Sequence, residues 1–377
     1  MRDRPTGVTT DISPPLEVGG MSTRICVFPG DDAAATAVDA TVDVLRGLDA
    51  DLELDVRTAE GHEAALLDWE IPEEFVTAIE AADTVLFGSC NEVHTALLWY
   101  LRHDYGGGMP ANLRPIRHFE GAKTPLADPE EIDYLIVREN LEGIYFRAEG
   151  DLPDIAERLP DVRGMDGRSL ADLGEGAYAI RVASDRHTER FAALAADLAG
   201  EWFSDRDRVS VTCASKSNVL SRTDGLFDEY VEAAVTDHDR LEYEHLHTDD
   251  VAQRLVSDPG RFDVIVTPNF AGDLLSDGAA GTTGGLGVAP SGCYNEEVAY
   301  FEPVHGSAPD IAGEGVINPT ATMLSAVMLL EHEGLDAAAD RLRTAVEAVY
   351  AAGEPLTPDQ GGSASTEEFA AAVRERL

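Results

Sequence analysis

Short apolar runs alternate with longer stretches of helical spacing along most of the chain. Runs at 24–28, 52–57 and 84–87 read as buried strands, and helical spacing appears at 33–48, 72–82 and 97–102. The alternation returns downstream. Strands are expected at 112–117, 133–137, 178–183, 208–214, 241–247 and 262–267, and helices at 185–201, 224–236 and 249–256. A strongly apolar helix at 320–332 follows Asn318-Pro319, another covers 335–353, and a last one starts near Thr366. Strands alternating with helices predict an α/β fold around a mostly parallel sheet. Two stretches break the pattern. Residues 147–178 are polar, irregular and Gly-rich, which suits a protruding arm. Residues 1–20 read as a disordered extension, with Met21 a candidate start just before the first strand.

The strand at 262–267 leads into Asn269-Phe-Ala-Gly-Asp273-Leu-Leu-Ser-Asp277. On a helix, Asp273 and Asp277 share one face, and like charges at that spacing repel unless a cation separates them. No Lys or Arg lies between Arg261 and Arg341 to do so. The pair is either a divalent-metal site or part of a solvated acidic face.

Composition sharpens that choice. The 377 residues suit two domains with a substantial core. No apolar run approaches a membrane span. A net charge of −43 argues against nucleic acid and anionic membranes as partners. The basic residues are 26 Arg and only two Lys, Lys123 and Lys216. Acidic, Lys-poor, Ala- and Gly-rich composition resembles proteins of salt-loving archaea, where high ionic strength screens surface repulsion. In such a chain one Asp or Glu alone says little. Cys26, Cys90, Cys213 and Cys293 show no paired spacing, so neither a zinc site nor a disulfide framework is indicated, and a reducing cytoplasm fits.

Arg102, Arg114 and Arg138 each end an apolar element. An Arg so placed needs an anion, which is either a substrate carboxylate or one of this chain's own acids. Lys216 directly follows a strand in a chain that has otherwise used Arg almost everywhere. Lys can act as a base and Arg cannot, so this position points to proton transfer. His245 and His247, ahead of Asp249 and Asp250, are either metal ligands or one face of a strand. Asp249 is alternatively a helix N-cap, and Asn318-Pro319 reads as N-cap and first residue of the helix it opens. The turn His305-Gly306-Ser307-Ala308-Pro309-Asp310 could present N–H groups and one carboxylate to a ribose. No G-x-G-x-x-G follows a strand, which gives a Rossmann site no support.

Together these pieces resemble the β-decarboxylating dehydrogenases, the family of isopropylmalate, isocitrate, homoisocitrate and tartrate/D-malate dehydrogenases. The resemblance rests on Asn112-Leu-Arg-Pro, Val137-Arg-Glu-Asn-Leu-Glu-Gly-Ile-Tyr145, Lys216-Ser-Asn, Asn269 to Asp277, and Phe301-Glu-Pro-Val-His-Gly-Ser-Ala-Pro-Asp-Ile-Ala-Gly313. It implies a two-domain, isopropylmalate-dehydrogenase-like fold with a mixed, mostly parallel sheet. One domain would be discontinuous, 21–110 plus 284–377, and would bind NAD. The other, 111–283, would carry the substrate, the dimer interface and the arm.

By that resemblance Asp273 and Asp277 hold Mg²⁺ or Mn²⁺, with Asp249 reaching in from a partner subunit. Arg102, Arg114 and Arg138 hold substrate carboxylates, with Asn218 near the substrate and nicotinamide. Lys216, also lent by the partner, is the base, and Tyr145 the acid. Glu302, His305, Gly306, Ser307, Asp310 and Asn318 form the nucleotide part. Asp310-Ile311 stands where NADP-using members carry Lys-Tyr, which favours NAD. Leu98 and Val219 match an apolar pocket of the isopropylmalate enzymes. The Ser-x-Asn pair of isocitrate enzymes is absent before Arg102, and Thr124-Pro-Leu and Gly287-Val-Ala-Pro-Ser resemble the tartrate/D-malate branch.

The expected activity is oxidative decarboxylation of a 3-substituted (2R)-malate by a cytoplasmic homodimer with shared sites. 3-Isopropylmalate ranks first and D-malate or tartrate next. Two departures stand against the family pattern. Members begin Pro-Gly-Asp-Gly-Ile-Gly-x-Glu, whereas this chain reads Pro29-Gly30-Asp31-Asp32-Ala33-Ala34-Ala35-Thr36. The usual Gly-Gly-Pro loop is replaced by Ser89-Cys-Asn-Glu-Val-His94. They leave room for a catalytically weak paralogue that acts as a regulatory subunit.

Overall fold

The computed structural model describes residues 22–129 and 132–377. The expected extension at 1–20 and the candidate start at Met21 lie outside the described residues. Among the described residues there are twelve strands: β1 (Thr23–Phe28), β2 (Leu52–Val56), β3 (Thr84–Phe87), β4 (Ala111–Arg117), β5 (Asp133–Glu139), β6 (Gly143–Asp151), β7 (Ala177–Val182), β8 (Val209–Ser215), β9 (Leu241–His247), β10 (Val264–Thr267), β11 (Pro290–Tyr294) and β12 (Ala299–Pro303). The helices are α1 (Asp32–Leu45), α2 (Glu63–Leu67), α3 (Glu73–Ala81), α4 (Thr95–His103), α5 (Leu152–Arg158), α6 (Asp185–Trp202), α7 (Thr223–Thr236), α8 (Thr248–Ser257), α9 (Asn269–Thr283), α10 (Thr320–His332), α11 (Asp336–Ala352) and α12 (Thr366–Arg374).

Ten strands form one sheet in the order β2-β1-β3-β12-β11-β4-β5-β10-β8-β9. Both wings are parallel, and the antiparallel pairs β12-β11, β11-β4 and β4-β5 lie in the middle. The fold is thus α/β with a mixed, mostly parallel sheet. The remaining pair, β6 and β7, is an antiparallel hairpin with a register irregularity between Gly143 and Ala148. It accounts for part of the stretch read as irregular from sequence. That stretch in fact begins inside β6 and contains α5. Polar, largely exposed strands give no clear period-2 signal, which is why β6 was missed.

The two faces of the sheet are coated differently. On one face Ile25, Val27, Leu86, Leu113, Leu135, Val137, Val211, Val264, Val266 and Phe301 join a single continuous core beneath α1, α6, α7, α10, α11 and α12. On the other face the apolar coat is split. Phe28, Val85, Phe87 and Tyr300 pack in one cluster with residues of α2, α3 and α4. Ile116, Tyr134, Ile136 and Ile265 pack in another with residues of α8 and α9. Because strand side chains alternate, Asn112, Arg114 and Arg138 stand on this second face, between its two clusters.

The continuous side carries much of the stability. Phe191 of α6 is fully buried and stacks on Phe227 of α7 with ring centroids 5.5 Å apart. Phe191→Ala is expected to destabilise the protein by about 3–5 kcal/mol, read as a lowered midpoint of denaturant unfolding in concentrated KCl.

Candidate active site

Thr267 ends β10, and Pro268, which has no N–H for the ladder, turns the chain directly into α9 at Asn269. Arg138 lies opposite Thr267 in the neighbouring strand, and Asn112 lies opposite Arg138 in the next. Arg114 is two residues from Asn112 and so projects from the same face. These registers place both guanidinium groups against the first two turns of α9.

Arg138 ion-pairs with Asp273 and donates Nε and Nη2 to Asn269 Oδ1 at 3.2 and 2.9 Å. Arg114 donates Nε to Asn112 Oδ1 at 2.7 Å. Its Nη1 reaches Ser276 Oγ at 2.7 Å, Asp277 Oδ1 at 3.1 Å and Asp273 Oδ1 at 3.5 Å. The two side chains are only 5% and 8% exposed as whole residues. Burial and the nearby Arg114 bring the Arg138 pKa down to about 10, which leaves it cationic at neutral pH. Tyr145 Oη donates to Asp273 Oδ2 at 2.9 Å, and its ring sits 5.7 Å from the Arg138 guanidinium carbon. Gly272 permits this packing. A Cβ there would lie 2.6 Å from Arg138 Cγ.

The cation missing from the sequence neighbourhood of Asp273 and Asp277 is therefore supplied from other strands. Arg114 touches both carboxylates. These carboxylates remain partly open to solvent, with side-chain exposures of 31% and 47%. Two hard oxygen donors one turn apart suit a Mg²⁺ or Mn²⁺ ion, which prefers carboxylate and water oxygens. Among the described residues no three metal-capable side chains gather in one place.

Lys216 and Asp249 form a second group. Lys216 follows β8, Asp249 lies in the first turn of α8, and the two are ion-paired. Asn218 and Val219 are exposed on the same turn, with Val219 N–H bonded to the Lys216 carbonyl at 2.9 Å. Among the described residues no hydrogen bond or ion pair joins this group to the Asp273 group. His245 faces Asp228 at 3.3 Å and Ser215 Oγ at 3.1 Å, and its ring lies 5.2 Å from that of His247.

A third group lies toward the other wing. Arg102 of α4, one turn beyond the half-buried Leu98, donates to Glu302 Oε1 at 3.2 Å, which also accepts from Tyr300 Oη. His305 Nδ1 is 2.8 Å from the Gly306 carbonyl, and its Nε2 is buried without a partner. Asp310 is exposed on a short 3-10 turn. Asn318 stands apart. The N-cap of α10 is Pro319, one residue later than the sequence suggests, and Asn318 accepts from Thr320 N–H while donating to Tyr350 Oη and Asp359.

The altered segment at 31–36, which opens α1 from Asp32 on, is fixed by side chains. Asp32 adopts φ +53, a left-handed angle that glycine would take without strain, and accepts from Ser307 Oγ at 2.7 Å. Asp31 accepts from the N–H groups of Asn91, Glu92 and His94, and from His94 Nδ1 at 2.6 Å. Burial works against its charge, but His94 and the Asn91 N–H outweigh it and lower the pKa to about 2.

A model of the isocitrate/isopropylmalate dehydrogenase family matches residues 24–373. The chain belongs to that family. It is accordingly a dehydrogenase of the oxidative-decarboxylating type. The similar proteins include a 3-isopropylmalate/3-methylmalate dehydrogenase of Methanocaldococcus jannaschii, 39% identical over 94% of this chain and 98% of its own. An isocitrate/homoisocitrate dehydrogenase of Thermus thermophilus is 38% identical over 95% of this chain and 99% of its own. The structure is similar to that of an isocitrate dehydrogenase from Methylococcus capsulatus, with a TM-score of 0.77, 31% identity, and 94% of this chain and 99% of that one covered.

The family motifs do not mark Asn112, Ser276 or the Asp31–His94 pair as one another's neighbours. Only the i, i+2 spacing of Asn112 and Arg114 on a strand carries a hint. Because the folded pKa of Asp31 is depressed, its contribution to stability is full above the ordinary carboxylate value of about 4 and is lost as pH falls toward about 2. Asp31→Asn should remove that part of the acid slope, seen by comparing unfolding midpoints of the two proteins across this window.

Proposed function

We propose that the protein is a NAD- and Mg²⁺- or Mn²⁺-dependent dehydrogenase that oxidatively decarboxylates a 3-substituted (2R)-malate, with 3-isopropylmalate the first choice of substrate. The observation that carries this reading is the sorting of the site residues. Arg114, Arg138, Tyr145, Asp273 and Asp277 meet in one group, and Lys216 and Asp249 meet in another. The second group holds the two residues that the family resemblance assigns to a partner subunit. Two copies of the chain would each complete the other's site, and Asp249 of a second copy would add a third carboxylate to Asp273 and Asp277.

When bound, NAD accepts the hydride from C2 and the divalent cation polarises the C2 oxygen. Arg114 and Arg138, joined by Arg102, hold the substrate carboxylates in register, since guanidinium forks match carboxylates. Asp273 and Asp277 would hold the divalent cation. Lys216 Nζ of the second copy takes the proton of the C2 hydroxyl as that carbon is oxidised to a ketone. The C3 carboxylate leaves as CO₂, and Tyr145 Oη returns a proton to C3. Asp310 accepts from a ribose 2′-hydroxyl and repels a 2′-phosphate, which favours NAD over NADP. Residues 21–110 with 284–377 form the NAD-binding part in this reading, and residues 111–283 the substrate and dimer part.

The test is a panel of 3-isopropylmalate, D-malate, tartrate and isocitrate with NAD and Mn²⁺ in concentrated KCl. NADH formation with 3-isopropylmalate as the best substrate is expected, and no NADH from any of the four refutes the reading. Shared sites have their own check. Tyr145→Phe and Lys216→Ala proteins should each lose most activity. When the two are unfolded and refolded together, about a quarter of the wild-type rate should return, because half of the random dimers carry one intact site. Gly272→Ala, which pushes on Arg138, should lower kcat/KM by at least about tenfold in the same assay.

A further inference from the structure

Asp224 is 2% exposed, at the start of α7. A carboxylate taken so far out of water is costly unless its oxygens are matched. They are matched by two different parts of the chain. Oδ2 accepts the backbone N–H of Lys216 at 2.8 Å, and Oδ1 meets Arg181 Nη2 at 2.5 Å. Burial raises its pKa, while the Lys216 N–H and Arg181 favour the charged form. Arg181 belongs to β7, one strand of the hairpin arm, and Asp224 is its one acidic partner among the described residues. The turn around Lys216 is held from its other side as well. His245 Nε2 lies 3.1 Å from Ser215 Oγ, 3.5 Å from Ser217 Oγ and 3.3 Å from Asp228. The backbone of Lys216 is thus fixed while its ammonium group runs out to Asp249.

We propose that Asp224, clamped by Arg181, is a positioning residue for Lys216, so that the arm and the catalytic lysine move as one unit. This rests on the reading of Lys216 as the base lent to a second copy. A base misplaced by about 1 Å can cost about 100-fold in rate without weakening substrate binding. The ion pair ties the lysine's turn to the hairpin rather than to the sheet edge alone. Two strands alone are weakly stable, and the Arg181–Asp224 pair adds a tie from the second strand to α7.

Arg181→Met and Arg181→Lys test this. With substrate turnover as readout, Arg181→Met should lower kcat by about 10- to 100-fold and leave KM within about threefold, and Arg181→Lys should recover part of the loss. In a Lys216→Ala background Arg181→Met should cost nothing more, because it acts through the missing side chain. An equal further loss in that background, or an unchanged kcat in Arg181→Met alone, overturns the proposal.

A second measurement is independent of turnover. The chain has only Lys123 and Lys216, so an amine-acylating reagent followed by peptide mass spectrometry reads the two separately. Arg181→Met should speed acylation of Lys216 by at least about threefold, with Lys123 as the internal standard. Identical rates in the variant and the parent protein overturn the proposal whatever the substrate proves to be.

Discussion

Buried guanidinium groups must find anions, and much of the geometry around the site follows from how two of them do so. Arg114 and Arg138 stand on the one sheet face whose apolar coat is interrupted, between the cluster under α4 and the cluster under α8 and α9. Each keeps less than a tenth of its surface in solvent. The first two turns of α9 supply Asn269, Asp273, Ser276 and Asp277 on one side, at the 3.6-residue spacing of a helix. The charges then close on each other. Two carboxylates that would repel are held one turn apart by the cations that need them.

The sheet topology is what makes this meeting possible. A wholly parallel sheet would carry each strand's C-terminal end to the same edge and would place β4 in the opposite sense. Here β4 runs antiparallel to both of its neighbours, so Asn112 and Arg114 lie beside the C-terminal end of β5 rather than at the far edge. Asn112 then links the wings. Its amide accepts from Arg114 Nε and donates to Ser291 Oγ of β11 at 2.9 Å, next to the strand that carries Glu302 and, through it, Arg102. The three arginines picked out by their positions at the ends of apolar elements are therefore connected through short polar steps across the middle of one sheet.

Much of this is legible in the amino-acid sequence. The inner strands β3 and β10 of the parallel wings are short, fully buried and almost wholly apolar, because they are covered on both faces, and such runs stand out. Helices at 185–201, 224–236 and 320–332 lie within two residues of where their periodicity puts them. The misses have physical causes. β11 and β12 contain Pro, Ser, Gly and Glu, so their composition resembles a loop. β6 is exposed along most of its length and irregular in register, which erases alternation. The acidic pair on α9 could not be told from a solvated face because its counter-ions come from strands more than 130 residues away. Charge balance between distant elements leaves no local mark. It became readable only where a family motif already joined the same residues.

The departures from the family pattern obey the same logic of distant compensation. Losing glycine at position 32 does not release the backbone from its left-handed angle. Asp32 keeps φ +53, a conformation that Asp tolerates better than most residues. Its carboxylate is fixed by Ser307, while Asp31 gathers three N–H groups and the imidazole of the segment that replaces the usual Gly-Gly-Pro loop. Ala33 packs with Ala308 and Ile311 at the turn that carries Asp310. Two changes that look unrelated along the chain thus meet as one hydrogen-bonded unit at the C-terminal ends of β1, β3 and β12. Ligands of open α/β sheets bind at those ends. Where the family pattern has glycine this chain has side-chain bonds, and they fix the start of α1 against both neighbouring segments.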